Sequence, residues 1–167
     1  MRTYGPMIVA QAKVNEEYDD AGRKAFRVFA HFIFGNNTAQ VNIIMTAPVT
    51  KQSAGSEKIA KTAHLIQSKS ASEYVVQFIM PAAYTRDTFP QFKDTRVKIG
   101  EIPARKIAIF SYSGSWSQTR FNEKLTEFKA ALVREKIVSV GEPTFARFNT
   151  PWQLPFFRHN EIWIEVG

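Results

Sequence analysis

Two segments of the chain carry apolar side chains every three or four residues, the spacing of one buried helix face. The first begins at Ala21 and is followed by Gly35, a residue type that commonly ends helices. The second is predicted over residues 118–134, where Ser117 is placed to cap the first free N–H groups. The sequence therefore predicts two long helices. Their apolar stripes are Phe26, Phe29, Ala30 and Ile33, and Phe121, Leu125, Phe128, Ala131 and Leu132.

The remaining apolar segments are short and are bounded by turn-forming residues, as is typical of β-strands. Each half of the chain has the order strand, helix, strands, and the length fits one domain. We therefore predict an α+β fold, with an eight-stranded, barrel-like antiparallel sheet and two long helices, in a single domain over residues 1–167. The predicted strands are 6–14, 41–51, 59–68, 74–80, 96–101, 106–112, 141–148 and 161–166.

A short internal repeat relates residues 43–52 to residues 59–68, an arrangement that suits two neighbouring strands of a hairpin. Two positions differ in kind, because Met45 corresponds to Lys61 and Pro48 corresponds to His64. Both changes place an ionisable group among apolar neighbours on a predicted strand. The alternative is that Lys61 reaches water at a sheet edge and that His64 is simply exposed. The identical pairs are Ile43/Ile59, Thr46/Thr62 and Ala47/Ala63.

The chain is basic, since 22 Lys and Arg against 15 Asp and Glu give a net charge of +7. This charge favours anionic ligands, but the basic residues are scattered and no helix-turn-helix pattern is present, so no nucleic-acid partner is predicted. No apolar run approaches the ~18 residues of a membrane span. The absence of cysteine excludes disulfides and thiolate sites. The 14 Phe suit a dense core or the wall of a pocket for a flat ligand.

Sequence motifs for catalysis are few. The chain has no Gly-rich phosphate loop and no Gly-x-Ser-x-Gly nucleophile motif. Its three histidines, His31, His64 and His159, lie too far apart along the chain to form a metal-binding motif. The residues by themselves therefore give little support to a natural catalytic activity.

Several motifs together resemble those of a known family. They are Arg2-Thr3-Tyr4-Gly5-Pro6, Met45-Thr46-Ala47-Pro48, Phe78-Ile79-Met80-Pro81, the segment 110–116, and Pro151-Trp152-Gln153-Leu154-Pro155-Phe156 with the residues that follow to 164. Over essentially the whole chain the sequence resembles the SOUL haem-binding protein family. The resemblance implies a distorted β-barrel of two pseudo-repeats with two helices against it, a fold similar to the effector-binding domains of some bacterial transcription regulators. It also implies that the ligand is haem or another tetrapyrrole.

A haem site needs apolar area for the macrocycle, cations for the propionates and, in many proteins, a histidine for the iron. We expect Met45, Phe29 and His31 to contact the cofactor and His64 to ligate the iron, with His31 and then His159 as the next candidates. The cations proposed for the propionates are Arg23, Lys24 and Arg27, on the polar side of the first helix. The aromatic residues predicted to lock the closing segment onto the sheet are Trp152, Phe156 and Phe157.

The residues at positions 61 and 64 also support an alternative function. In this interpretation the chain is an engineered enzyme on the same scaffold, with Lys61 as an amine nucleophile or His64 as a base or haem ligand. The apolar neighbours Ile59 and Leu65 favour the uncharged amine that such chemistry requires. A monomer is favoured, and the compartment is left open between the cytoplasm and, if a signal peptide has been removed, the periplasm.

Overall fold

The computed structural model describes residues 1–15, 18–33, 65–70, 73–80, 85–89, 93–149 and 152–167. These residues form eight β-strands and two α-helices, with one turn of 3-10 helix near the end of the chain. Neither of these helices is long and apolar enough to cross a lipid bilayer. The elements are β1 (Arg2–Tyr4), β2 (Met7–Val14), α1 (Tyr18–Ile33), β3 (Leu65–Ser70), β4 (Glu73–Ile79), β5 (Val97–Ile102), β6 (Arg105–Tyr112), α2 (Gln118–Arg134), β7 (Thr144–Arg147), the 3-10 turn (Pro155–Phe157) and β8 (Asn160–Glu165).

The described strands pair antiparallel into one sheet with the order β1-β6-β8-β7-β3-β4-β2-β5. Two equivalent halves meet at its centre, where β3 pairs with β7. On either side of this pair, β4 and β2 in the first half correspond to β8 and β6 in the second. The first strand of each half is exchanged, since β1 pairs with β6 and β5 pairs with β2. Each half therefore supplies the edge strand of the other.

The predicted closure of this sheet into a barrel is wrong. Within the described ranges, β1 pairs only with β6 and β5 only with β2, so the sheet keeps two edges. The edges still approach each other, because Gly5 and Pro6 alone join β1 at one edge to β2 beside the other edge, a span of roughly 10 Å. Pro103 and Ala104 join β5 to β6 in the same way. Proline has no N–H to donate, so Pro6 and Pro103 add no ladder hydrogen bond at these crossings.

Both helices cover the same face of the sheet. Val76 of β4 and Phe145 of β7 lie opposite Gln67 of β3, which places all three side chains on that face. Phe29 of α1 is buried in one core cluster with Val76, and Phe128 of α2 is buried in a second cluster with Phe145. The two helices are thus fixed side by side over the central strands.

The opposite face of the sheet packs against itself. Tyr4 of β1 and Ile102 of β5 come from the two edges, yet both belong to one buried cluster with Trp163 of β8. The rings of Tyr4 and Trp163 lie 5.2 Å apart, in a tilted contact. Burial of this apolar area stabilises the curl that brings the two edges together.

Two of the predicted strands, 41–51 and most of 59–68, fall outside the described residues. The described part of the second begins at Leu65, where β3 starts. The hairpin predicted from the internal repeat therefore stays a prediction.

Candidate functional site

The connection between β7 and β8 is held in one shape by its own polar groups. We call residues 152–159 the closing loop. The side chain of Gln153 donates to the carbonyl oxygen of Phe157 at 3.0 Å and accepts from the amide of Asn149 at 3.0 Å. Arg158 Nε donates to the Gln153 carbonyl at 2.7 Å, and the backbone N–H of His159 donates to Asn149 Oδ1 at 2.6 Å. These bonds order the loop without the help of its apolar side chains.

The apolar side chains of the closing loop point into solvent. Trp152 is 74% exposed, Leu154 55%, Phe156 65% and Phe157 67%. The rings of Phe156 and Phe157 contact each other, with centroids 4.5 Å apart, on the single 3-10 turn. The prediction that Trp152, Phe156 and Phe157 lock this segment onto the sheet is therefore wrong. A group of exposed aromatic side chains on an ordered loop is typical of a binding surface.

Helix α1 borders this loop. The ring of Phe26 meets the ring of Trp152 edge-on, with centroids 5.8 Å apart. Arg27 follows Phe26 directly and is exposed, and His31, exposed four residues later, lies on the same side of the helix as Arg27. Lys24, one turn before Arg27, is exposed as well. Arg27 is thus the exposed cation that adjoins the aromatic junction in sequence, while Lys24 and His31 lie farther round the helix.

The predicted site residues fall into three groups. Phe29 is 1% exposed and packs on Phe78, with ring centroids 6.1 Å apart, so it supports α1 from beneath. His31 lies on the exposed side of α1. Met45, Lys61 and His64 lie outside the described residues, as does the side chain of Arg23, and their predicted roles stay predictions; His159, the last candidate ligand, contacts Glu161 instead. In the described ranges, no three side chains among His, Cys, Asp and Glu are grouped so that they could hold a metal ion.

A buried carboxylate that the sequence did not point to lies on the self-packed face of the sheet. Glu161 of β8 is fully buried, and the indole N–H of Trp163 donates to it at 2.6 Å. Arg2 forms an ion pair with it at 3.1 Å, His159 Nε2 lies 3.0 Å from it, and Ser111 donates at 3.5 Å. A buried carboxylate with this many donors is compensated in charge. The site holds β1 and the end of the closing loop against β8.

The charge of Glu161 acts on the two residues of β1 nearest to it. Burial by itself would lower the pKa of Arg2, but hydrogen bonding to Tyr4 and the carboxylate charge raise it overall. Burial raises the pKa of the Tyr4 phenol. The guanidinium and the neutral phenol are therefore the stable forms of this cluster near neutral pH.

A second anchor of the closing loop is the indole of Trp116. The guanidinium carbon of Arg158 lies 4.3 Å from its ring centroid and that of the buried Arg147 lies 4.8 Å away. The indole N–H donates to Asn160 Oδ1 at 2.7 Å. Burial lowers the pKa of Arg158. Arg158 is thus engaged in fixing the loop to the second half of the chain.

The architecture of curled sheet and paired helices is found in solved structures. The C-terminal domain of EcmrR is similar in fold, with a TM-score of 0.66, 11% identity, and coverage of 99% of this chain and 94% of that chain. A hydrolase from Listeria innocua gives a TM-score of 0.59, 10% identity and coverage of 99% and 90%. SAV2435 bound to tetraphenylphosphonium gives a TM-score of 0.51, 9% identity and coverage of 99% and 92%. At these identities the likeness shows the fold alone.

Comparison of the sequence identifies the family. The model of the SOUL heme-binding protein matches residues 1–165. The chain therefore belongs to the SOUL heme-binding protein family, and the predicted family is confirmed. No curated protein sequence matches the chain. Membership of this family suggests that the ligand is haem or another tetrapyrrole.

Proposed function

We propose that the protein binds haem or a related tetrapyrrole at the junction of α1 and the closing loop, with one face of the macrocycle on Trp152. The observation that carries this proposal is the contact between the exposed Trp152 ring and Phe26, beside the exposed cation Arg27. An indole that is 74% exposed on an ordered loop offers a flat apolar surface at little entropic cost. Trp152 keeps most of its surface exposed despite its contact with Phe26, which supports its availability to a ligand.

The residues at this junction fit the parts of a haem molecule. The macrocycle is flat and apolar and matches an aromatic surface, while its propionates match a guanidinium through charge-assisted hydrogen bonds. Among the α1 cations whose side chains the structure describes, Arg27 lies nearest to Phe26 along the helix. Haem, when bound, supplies an iron that takes axial ligands from the protein. His31 is the exposed described histidine on this helix face, whereas His159 is engaged with Glu161 and with the Phe148 ring.

A titration with haem, followed by the Soret band, tests the proposal. Trp152→Ala is expected to weaken binding about tenfold, which corresponds to about 1.4 kcal/mol. Because the Trp152 side chain is largely exposed, this variant should keep the melting temperature of the parent. Val133→Ala, which removes an exposed apolar side chain on α2, is the matched control and should bind as the parent does. Parental affinity in Trp152→Ala would contradict the assignment of the site.

The role of the cations is tested with the ligand as well as with the protein. Arg27→Ala should weaken haem binding several-fold, while Arg134→Ala, an exposed arginine on α2, should not. With haem dimethyl ester, which has no carboxylates, parent and Arg27→Ala should bind alike. A loss that persists with the ester would show that Arg27 acts on the structure of α1 instead of on the propionates.

The axial ligand is a separate question with two candidates. His31→Ala and His64→Ala are compared in the same titration, since the sequence predicts His64 as the ligand and His31 as the next candidate, and His31 is exposed on α1. Loss of the ferric Soret shift in one variant, with retained binding of iron-free protoporphyrin, identifies that histidine as the ligand. An unchanged spectrum in both variants would exclude His31 and His64 as the ligand, and unchanged spectra in His159→Ala as well would mean that no histidine ligates the iron.

A further inference from the structure

The second half of the closing loop exposes a separate apolar surface. Leu154, Phe156 and Phe157 are each more than half exposed, and we call this group the diphenylalanine turn. Pro155 lies at the first position of its 3-10 helix and fixes the backbone there. The carbonyl oxygen of Phe157 is held by the Gln153 side chain. The three apolar side chains are therefore held outward by the backbone, although their exposure to water is unfavourable.

The charge around this turn is positive. Between Pro143 and Asn160 the sequence contains no acidic residue, and of its two arginines Arg147 is buried against Gln67 while Arg158 is partly exposed. Arg158 follows the turn directly, and arginine stays charged at neutral pH even when its pKa falls somewhat. The next acidic residue along the chain, Glu161, is fully buried and paired with Arg2, so it adds no negative field at the surface. An anionic partner is thus favoured.

We propose that the diphenylalanine turn docks the protein on an anionic lipid surface. Phe and Leu side chains on a basic protein surface are the composition with which proteins enter the interfacial region of a bilayer, where the rings lie among the headgroups and the net positive charge is attracted to the anionic lipids. Three projecting side chains can insert between lipids without any complementary groove. Because the loop is already ordered, little conformational entropy is lost on docking.

A second copy of the chain is a poorer occupant of this surface. A stable dimer buries at least about 1,000 Å² in total, which three side chains on a single turn do not supply. Two copies would also bring arginines of like charge together, and each chain carries a net charge of +7. The geometry and the charge therefore favour the lipid surface.

Vesicle flotation tests the proposal directly. The parent, without haem, is mixed with vesicles of phosphatidylcholine alone or of equal phosphatidylcholine and phosphatidylglycerol. We expect binding to the anionic vesicles only, with a partition coefficient that falls as salt is raised. The double variant Phe156→Ser/Phe157→Ser should lower this coefficient at least about tenfold, since most of the inserted apolar area is lost.

The control is Val133→Ser/Val138→Ser, which removes two exposed apolar side chains, 78% and 72% exposed, from another part of the surface. It should bind vesicles as the parent does. Equal binding by the parent and the Phe156→Ser/Phe157→Ser variant would overturn the proposal, as would a parent that does not bind anionic vesicles at low salt. Concentration-dependent dimerisation that the same variant abolishes would also overturn it, by assigning the turn to a second copy.

Lipid docking by the diphenylalanine turn does not depend on tetrapyrrole binding. Either proposal can be contradicted by experiment without affecting the other. Phe156→Ser/Phe157→Ser should keep the haem affinity of the parent, and Trp152→Ala should keep most of the vesicle binding. A brominated lipid adds a spectroscopic readout, since Trp152 is the exposed tryptophan of the loop and should be quenched when the neighbouring turn inserts. Quenching that is equal in the parent and the double variant would count against insertion of the turn.

Discussion

The indole N–H of Trp163 donates a 2.6 Å hydrogen bond to the carboxylate of Glu161, two residues earlier on the same face of β8. The ion pair with Arg2 reaches the same carboxylate from β1, at the edge of the sheet. One buried charge thus connects the last strand of the chain to the first. The contact lies beside the apolar cluster that stabilises the curl of the sheet.

Replacing this carboxylate by an amide should destabilise the fold. Glu161→Gln keeps the shape of the side chain but removes the ion pair with Arg2 and turns one acceptor into a donor that faces other donors. We expect a loss of about 2–4 kcal/mol in the free energy of unfolding, measured by urea denaturation. Arg2→Met should cost at least as much, because it leaves the fully buried carboxylate without its cation, whereas Glu161→Gln leaves an arginine side chain that is 37% exposed to water. A clearly smaller effect for Arg2→Met would contradict this order.

Replacing Tyr112 by phenylalanine should stabilise the fold. Its hydroxyl is buried and has no hydrogen-bond partner in the described part of the chain, while its ring stacks on Phe145. Tyr112→Phe keeps the stacking and removes the unsatisfied group, so we expect a gain of about 1 kcal/mol in urea denaturation at neutral pH. A loss of stability would show that the hydroxyl has a partner after all.

Tyr112 should also make the stability of the fold depend on pH in the alkaline range. Burial raises the pKa of Tyr112 above its ordinary value of 10.0, so the folded state holds the phenolic proton more tightly than the unfolded state. The stability from this neutral phenol is complete below pH 10 and is lost as the pH rises from there toward the raised pKa. Tyr112→Phe should therefore lose stability less steeply than the parent above pH 10. Tyr4, whose pKa burial also raises, is retained in both proteins and contributes equally.

The first turn of α2 depends on the cap Ser117. Its hydroxyl oxygen accepts from the backbone N–H of Arg120 at 3.3 Å, and the first turn of the helix contains no acidic residue. Ser117→Ala should cost about 1 kcal/mol of stability by urea denaturation. Ser117→Asp should recover this loss, since a carboxylate caps the same N–H and interacts favourably with the helix dipole. Ser113→Ala, which removes an exposed hydroxyl four residues before the cap, is the control.

The exchange of edge strands predicts that the two halves stay together after cleavage. A protease that cuts within the exposed residues 85–88 leaves β1 paired with β6, β2 with β5 and β3 with β7. The fragments should coelute in size-exclusion chromatography and separate only in denaturant. Two fragments that fold independently would refute this, and with it the predicted single domain.

The bounds and the cap of a helix are determined by residues close to one another in the sequence, and these features could be predicted. The bounds predicted for α2 agree with Gln118–Arg134, and the predicted cap Ser117 is in place. Helix α1 begins at Tyr18, three residues before the start that its apolar spacing predicts at Ala21. The capping geometry and the apolar stripe of α2 lie within a few residues of one another, so a local pattern contains the information.

Closure of the sheet could not be predicted in this way. Alternation within a strand indicates which side chains share a face, but it does not say whether β1 and β5 will pair. That outcome depends on the crossings at Pro6 and Pro103, which adjoin only after the whole sheet has formed. The order of elements is compatible with both a closed barrel and an open, curled sheet.

The sequence predicted neither the buried cluster around Glu161 nor the exposure of the closing-loop aromatic residues, and the reasons are related. Arg2 and Glu161 are 159 positions apart, and only the sheet topology brings them together. The available signal was Glu161 itself, a charged residue on the same strand face as Trp163. The sequence predicts that Trp152, Phe156 and Phe157 lock the proline-rich closing loop onto the sheet. The polar side chains of Asn149 and Gln153 order that loop instead, which leaves the aromatic rings in solvent.

The reciprocal placement of β1 and β5 also bears on how such a fold can arise by gene duplication. A half-length polypeptide with two strands, a helix and two more strands would leave the first of these strands without its partner. Two copies would satisfy each other by swapping that strand, as domain-swapped dimers do. Joining the copies end to end would give the order of elements and the sheet seen in this chain, with no strand having to change its neighbours.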